Sequence, residues 1–120
     1  MRPVGKLLLA DKGNYSQCEG HIATLEFDLR IDIASLESPR SIKSPTHSVA
    51  SYNAHGTRVE IGAAWLKTSK ATHTLGKKFF SIVIDDPSFS KPLNLMAFPN
   101  SDETEMDLVL ERNRGQQTAV

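Results

Sequence analysis

Two stretches of the chain decide its fold: residues 59–65 read VEIGAAW, and residues 79–87 read FFSIVIDDP. Both are rich in β-branched and aromatic residues, and the polar segment between them suits the loop of a hairpin. Successive side chains of a strand point to opposite faces, so the paired strands would have two different surfaces. The face that we expect to form the core carries Ile61, Ala63, Trp65, Phe80, Ile82 and Ile84. The outer face carries Glu60, Gly62, Ala64, Leu66, Phe79, Ser81 and Val83.

The register of this hairpin determines where its aromatic residues lie. A register that pairs Lys67 with Lys78 sets Trp65 opposite Phe80 in the core. A slip of one residue would move Trp65 to the other face. We therefore expect the indole to be a core residue whose N–H finds a buried acceptor, and we expect Phe79 to face outward.

The rest of the chain also favours short strands. Residues 26–33 read EFDLRIDI and alternate between charged and apolar, which is typical of a strand with one wet face. Further strands are expected over 5–9, 19–25, 47–53, 93–98 and 106–111, and a long Ser/Pro-rich loop over 35–46. Seven or eight short strands predict an all-β fold, either a small antiparallel barrel or a sandwich.

Length and composition predict one small domain in a reducing compartment. The 120 residues suffice for a single domain, which we expect over 1–112, with a flexible tail over 113–120. The single cysteine, Cys18, leaves no partner for an intrachain disulfide. No apolar run approaches the roughly 20 residues of a membrane-spanning helix. These features predict a cytoplasmic protein without a membrane partner.

Charge is distributed unevenly, although 14 Lys and Arg residues balance 14 Asp and Glu residues. From Arg58 to Lys91 there are six cations and three anions. From Ser101 to Glu111 there are five anions and no cation. One interpretation is a basic rim around the hairpin, and the other is a solvated surface on which both signs are mixed.

Several motifs in and around the hairpin carry a family resemblance. They are residues 60–65 (EIGAAW), residues 67–70 (KTSK), the Phe80-Ser81 pair and residues 84–87 (IDDP). Together they resemble the bacterial family known as domain of unknown function 736, and the likeness covers roughly Gly5 to Arg112. The resemblance implies a small protein of plasmids and integrative mobile elements, and it implies no activity, cofactor or catalytic residue. The hairpin is also similar to one in small phage proteins that bind single-stranded DNA.

Two departures from the family pattern change the outer face expected for the hairpin. Leu66 stands where a charged residue is usual, and Val83 stands where lysine is common. Both substitutions make this face more apolar and less basic. They therefore favour a protein contact over simple phosphate binding.

Two kinds of partner remain open for this outer face. Phe79 is suited to stacking on a base, and four nearby lysines are suited to phosphates, namely Lys67, Lys70, Lys77 and Lys78. That combination predicts binding of single-stranded nucleic acid. Alternatively, Leu66, Phe79 and Val83 form a patch that contacts a protein, either a partner or a second copy of the chain. The third interpretation gives Phe79 only a packing role under the 35–46 loop or a partner subunit.

No motif in the sequence predicts catalysis. Asp85 and Asp86 are adjacent, so on a strand they point to opposite faces, and Asp86 before Pro87 is typical of a turn. The four histidines lack ligand spacing, and with one cysteine a structural zinc site is not expected. We therefore expect a non-enzymatic binding or accessory protein without cofactor or metal.

Overall fold

The computed structural model describes residues 3–25, 28–36, 44–70, 76–89 and 91–111, and these residues form eight strands and no helix. The strands are β1 (Pro3–Asp11), β2 (Asn14–Ala23), β3 (Asp28–Ser35), β4 (His47–Tyr52), β5 (Arg58–Thr68), β6 (Lys78–Ile84), β7 (Leu93–Pro99) and β8 (Glu105–Leu110). This confirms the all-β prediction.

The eight strands close into an up-and-down barrel. Each strand pairs antiparallel with the next one in sequence, and β8 pairs with β1. The fold is therefore the barrel rather than the sandwich of the two predicted alternatives. Closure removes the edge strands, whose unpaired backbone groups would otherwise invite another chain to pair.

Side chains fill the interior, as expected for a barrel of eight strands. The largest fully buried side chains belong to Phe80, Leu7, Ile22, Ile31, Ile33, Ile82, Ile84, Leu95, Met106 and Leu108. Each of the eight strands contributes to this core. The core is therefore continuous around the barrel, which explains how one small domain is stable without a disulfide.

The alternating stretch forms β3 as predicted. Ile31 and Ile33 are fully buried, and Leu29 packs against the core. Asp28 and Arg30 are exposed on the opposite face. The period of two is regular here because β3 pairs with β2 without interruption.

Four parts of the sequence predictions lie outside the described residues. They are the start of the alternating stretch (26–27), most of the predicted Ser/Pro-rich loop (37–43), the centre of the predicted hairpin loop (71–75) and the predicted tail (113–120). The Ser/Pro-rich loop and the tail therefore stay predictions. The boundaries of the single domain are likewise a prediction.

A β-bulge interrupts the pairing of β5 with β4. Val49 pairs with Gly62 and Ala50 pairs with Glu60, so Ile61 is an extra residue on β5. A bulge re-aims the side chains that follow it, because one residue has no direct partner. Ile61 and Gly62 thus both lie on the core side, and the alternation along β5 changes phase between them.

This change of phase makes part of the hairpin prediction wrong. The β5–β6 register differs by one residue from the predicted one. Leu66 pairs with Phe80 and packs against the core, and Ala64 is fully buried. Ala63 and Trp65 are half-buried on the outer side. The indole is therefore not a core residue, and Leu66 does not belong to the outer surface.

Three glycines allow neighbouring strands to approach closely. A Cβ on Gly62 would lie 2.0 Å from the carbonyl oxygen of Val83. A Cβ on Gly5 or on Gly20 would lie 1.9 Å from a carbonyl oxygen of the opposing strand. The β1–β2 and β5–β6 pairs are half a circumference apart in the barrel. Glycine at these positions permits the tight bends at two opposite corners.

We predict that Gly62→Ala lowers the free energy of unfolding by about 3 kcal/mol or more, because the new methyl group would overlap the backbone of β6. Urea denaturation followed by far-UV circular dichroism measures the change. Gly56→Ala is the matched control, since a Cβ there has nothing within 4 Å and only the φ of 80° is unfavourable. That control should lose about 1 kcal/mol. Equal losses in the two variants would contradict the close approach at Gly62.

Candidate interaction surface

Four neighbouring strands, β5 to β8, carry a set of apolar side chains on the outside of the barrel. Each member directly adjoins at least one residue of the core cluster in sequence, which places it on the opposite side of the sheet. We call this set the outer apolar face, and it consists of Trp65, Phe79, Val83, Met96, Phe98 and Val109. Apolar residues on both sides of β6 and β7 distinguish this part of the barrel from β3, whose outer side is charged.

A stacked pair of phenyl rings forms the centre of one cross-strand row. The ring centroids of Phe79 and Phe98 lie 5.8 Å apart, and their planes are inclined by 22°. Phe98 is 42% exposed, and Phe79 is half-buried. The two rings fix each other's orientation, which prepares an exposed aromatic surface before any partner arrives.

The next row consists of four uncharged residues. Trp65 pairs with Ser81, Ser81 pairs with Met96, and Met96 pairs with Val109. Val109 is 9% exposed, and the other three are half-buried. Depletion of charge together with enrichment of aromatic residues and methionine is the composition of an interface centre.

Lysines border the outer apolar face on one side. We call them the basic edge, and they are Lys67, Lys70, Lys77 and Lys78. Lys67 pairs with Phe79 across β5 and β6. The Nζ of Lys78 donates to the hydroxyl oxygen of Thr68 at 3.0 Å, which ties the two strand ends together. The structure thus places the four lysines that the sequence analysis selected at the same end of the β5–β6 hairpin.

Carboxylates border the face on the other side. We call them the acidic edge, and they are Glu105, Asp107 and Glu111; Asp102 and Glu103 lie in the β7–β8 turn, where the Glu103 carboxylate accepts a hydrogen bond from the Tyr15 hydroxyl at 2.6 Å. Asp107 pairs with Phe98 across β7 and β8. The row of the stacked rings therefore has a cation at its β5 end and an anion at its β8 end. Lys6 of β1 lies just beyond the acidic edge, with its Nζ 3.3 Å from the Oε2 of Glu105.

The predicted site residues divide into two groups. Phe79 and Val83 lie on the outer side, and Phe79 pairs with Lys67 of the basic edge, whereas Leu66 is partly buried and packs against the core. Four members of the surface were not among the predicted site residues, namely Trp65, Met96, Phe98 and Val109. Residues 95–98 read LMAF, which is apolar at both alternating sets of positions, and this pattern is a signal for a strand covered on both faces.

A polar cluster on the far side of the barrel makes several contacts within the chain, although the buried Oδ1 of Asp32 accepts no hydrogen bond from the described residues. The guanidinium of Arg30 lies over the ring of Tyr52, 4.8 Å from its centroid. Its nitrogens lie 3.5 Å from an oxygen of Glu19 and 3.8 Å from an oxygen of Asp32. The hydroxyl of Tyr52 donates to Asp32 at 2.6 Å, and this hydrogen bond raises the pKa of the tyrosine. We assign this cluster to the stability of β2–β4 rather than to chemistry.

One histidine is enclosed in the barrel. His47 is 4% exposed, its Nε2 donates to the carbonyl oxygen of Tyr15 at 2.8 Å, and its Nδ1 lies 2.8 Å from the Thr46 hydroxyl. The ring also contacts Phe80 edge-on, with centroids 4.8 Å apart. Burial lowers the pKa of His47, an effect that the bond to the Tyr15 carbonyl partly offsets. The imidazole is therefore held neutral as a structural group.

The other candidate chemical groups are equally enclosed or dispersed. Burial raises the pKa of the Cys18 thiol to about 11, so the thiolate nucleophile is suppressed. Among the described residues, no three His, Cys, Asp or Glu side chains group closely enough to hold a metal ion. The same residues contain no helix that is long and apolar enough to cross a membrane.

Comparison with known proteins identifies the family. Residues 8–113 match the family described as Protein of unknown function (DUF736). The chain belongs to this family. The match covers nearly the whole chain, in agreement with the resemblance of the hairpin motifs. No curated protein and no solved structure matches. Since DUF736 membership assigns no activity, the outer apolar face and its two charged edges are the basis for a functional proposal.

We predict that this DUF736 protein loses stability as the pH falls below about 6.5, the ordinary pKa of histidine. Because the folded-state pKa of His47 is lowered, the unfolded chain binds a proton that the barrel excludes, so the free energy of unfolding decreases through this window. Denaturant unfolding at neutral and mildly acidic pH measures the loss.

His47→Gln should reduce this pH dependence, because glutamine can still donate to the Tyr15 carbonyl but does not titrate. His55→Gln is the matched control, since His55 is exposed in the turn before β5. The same pH dependence in the wild type and in His47→Gln would contradict the prediction.

Proposed function

We propose that this chain is a non-enzymatic accessory protein that binds another protein through the outer apolar face. The observation that carries the proposal is the uncharged row of Trp65, Ser81, Met96 and Val109 beside the stacked rings of Phe79 and Phe98. A contiguous apolar patch with a polar rim is typical of a protein contact site.

The composition of this surface supports a protein partner in particular. Tryptophan is among the residues that contribute most to binding energy, and aromatic residues and methionine are enriched in interface centres. Lysines and carboxylates lie at the edges of the face, where charges remain hydrated and improve specificity. The outer side of a strand that faces only water carries charged side chains, as β3 does with Asp28 and Arg30.

A non-enzymatic role is consistent with the position of the polar groups. Arg30, Tyr52 and Asp32 bind one another, and His47 is enclosed by the barrel. Arg30, Asp32 and Tyr52 line a groove together with Cys18, but the Cys18 thiol is buried, and this burial raises its pKa to about 11. The family resemblance further supports a bacterial protein associated with mobile elements, and the single cysteine favours a reducing compartment such as the cytoplasm; we include that setting in the proposal.

Site-specific photocrosslinking in the native host tests this proposal. Ser81 is replaced by p-benzoylphenylalanine, and the same probe at Gln17, exposed on β2, is the matched control. We expect protein adducts from position 81 and none from position 17. Nucleic-acid adducts from position 81 would instead support binding of single-stranded nucleic acid, the second candidate described below. No adduct at position 81, or equal adducts at both positions, would contradict the proposal.

Single-stranded nucleic acid is the second candidate, and one observation favours it. Lys67 lies beside Phe79 in the row of the stacked rings, so a base on the ring and a phosphate on the ammonium group would be neighbours. Asp107 at the other end of the row opposes this role, since its carboxylate would repel the backbone. The protein contact is therefore the better-supported function.

If nucleic acid is the ligand, a mixed-sequence single-stranded oligonucleotide should quench the fluorescence of Trp65, the only tryptophan. Affinity should fall steeply with salt, with a log–log slope of roughly −0.7 for each phosphate contacted. Lys67→Gln should weaken binding, and Lys12→Gln in the β1–β2 turn should not. Absence of binding at low salt would remove this candidate.

A further inference from the structure

We propose that the partner of the outer apolar face is a second copy of this chain, packed face to face about a two-fold axis that runs along the strands between β6 and β7. This inference rests on the proposed protein-binding function and names the partner. Its basis is the separation of charge across the face, with the basic edge at β5–β6 and the acidic edge at β7–β8.

The row of the stacked rings carries opposite charges at its two ends. The row runs from Lys67 through Phe79 and Phe98 to Asp107. A two-fold axis along the strands exchanges β5 with β8 and β6 with β7. Lys67 of one copy then faces Asp107 of the second copy, and each stacked ring faces a ring. The contact between Lys67 and Asp107 occurs twice because the interface is isologous.

Lys77, Lys78 and the β7–β8 turn lie at the same end of the barrel. Residues flanking the β5–β6 loop, Lys77 and Lys78, line one groove together with Asn100 and Glu103 of the β7–β8 turn. The two-fold operation therefore places Lys77 and Lys78 of each copy beside the β7–β8 turn of the other, where the exposed carboxylate of Asp102 lies. Complementary potentials of this kind select the partner and fix the orientation.

A competing two-fold axis would bring like charges together. This axis runs perpendicular to the strands, along the row of the stacked rings, and sets each strand of one copy opposite the same strand of the second copy. Lys67 would then face Lys67 of the second copy, and Asp107 would face Asp107. Like charges set directly opposite each other destabilise a contact. The uncharged row that begins at Trp65 accepts either axis. The charged edges therefore determine the orientation.

The area of the outer apolar face determines how tightly we expect two copies to bind. Four strands about 4.8 Å apart and three outward rows about 7 Å apart give roughly 400 Å² on each copy. Specific interfaces average roughly 800 Å² on each partner. We therefore expect a reversible dimer with dissociation in the micromolar range or weaker.

Sedimentation velocity over low to high micromolar concentrations tests the inference. The average mass of the wild type should rise from 13.2 kDa toward twice that value. Phe98→Glu should stay monomeric, because it places a charge within the stacked rings. Leu25→Glu is the matched control, since Leu25 is fully exposed outside the face, and it should dimerise like the wild type.

Charge reversal tests the orientation. Lys67→Glu alone and Asp107→Lys alone should each weaken dimerisation about tenfold, because each creates two repulsive contacts. Mixing the two variants should restore the dimer. In the mixed dimer the introduced carboxylate at position 67 faces the introduced ammonium group at position 107, and the unchanged Asp107 faces the unchanged Lys67. Recovery in the mixture also shows that both variants are folded.

The outcomes separate this inference from the proposed function. A wild type that stays monomeric at every concentration overturns the second copy as partner, and the crosslinking at position 81 still decides whether another protein binds. A dimer that Phe98→Glu leaves intact places self-association on another surface and overturns the inference. A dimer that the mixture of charge variants fails to restore overturns the proposed axis.

Discussion

The β-bulge at Ile61 and Gly62 is the constraint on which the rest of the structure depends. It adds one residue to β5 opposite β4, so the core side of the strand passes from Ile61 to Ala64 and Leu66 instead of to Ala63 and Trp65. The absence of a Cβ on Gly62 lets β6 approach at the same point, with the carbonyl oxygen of Val83 in the vacated space. A strand without this bulge would bury the indole and turn Leu66 outward.

The bulge thereby gives the barrel a second apolar surface. With the core complete, the outer apolar face remains on the outside of the barrel, and we propose that it binds a partner whose orientation the two charged edges determine. Barrel closure contributes as well, because each of the eight described strands has two paired neighbours and presents no free edge for association. The polar side chains that could take part in chemistry lie elsewhere, with His47 in the interior and the Arg30–Tyr52 pair on the far side of the barrel.

The sequence predicts the class of fold and most strands, because alternation and turn residues are local properties. Residues 28–35 show this best, since their period of two survives intact in β3. The orientation of Trp65 was not predictable from alternation, because one inserted residue reverses the pattern. Gly62 within a strand was the available signal of a bulge. The contact between Phe98 and Phe79 was not predictable, because such cross-strand partners depend on the register of β6 with β7 rather than on the local sequence.

The fluorescence of Trp65 tests the central claim most directly, because the chain has a single tryptophan. Acrylamide quenching is measured on dilute protein, below the concentration at which copies associate. An outward, half-buried indole predicts efficient quenching and an emission maximum to the red of that of a core tryptophan. A blue-shifted emission that acrylamide cannot quench in the dilute, folded protein would contradict the bulge and the surface that follows from it.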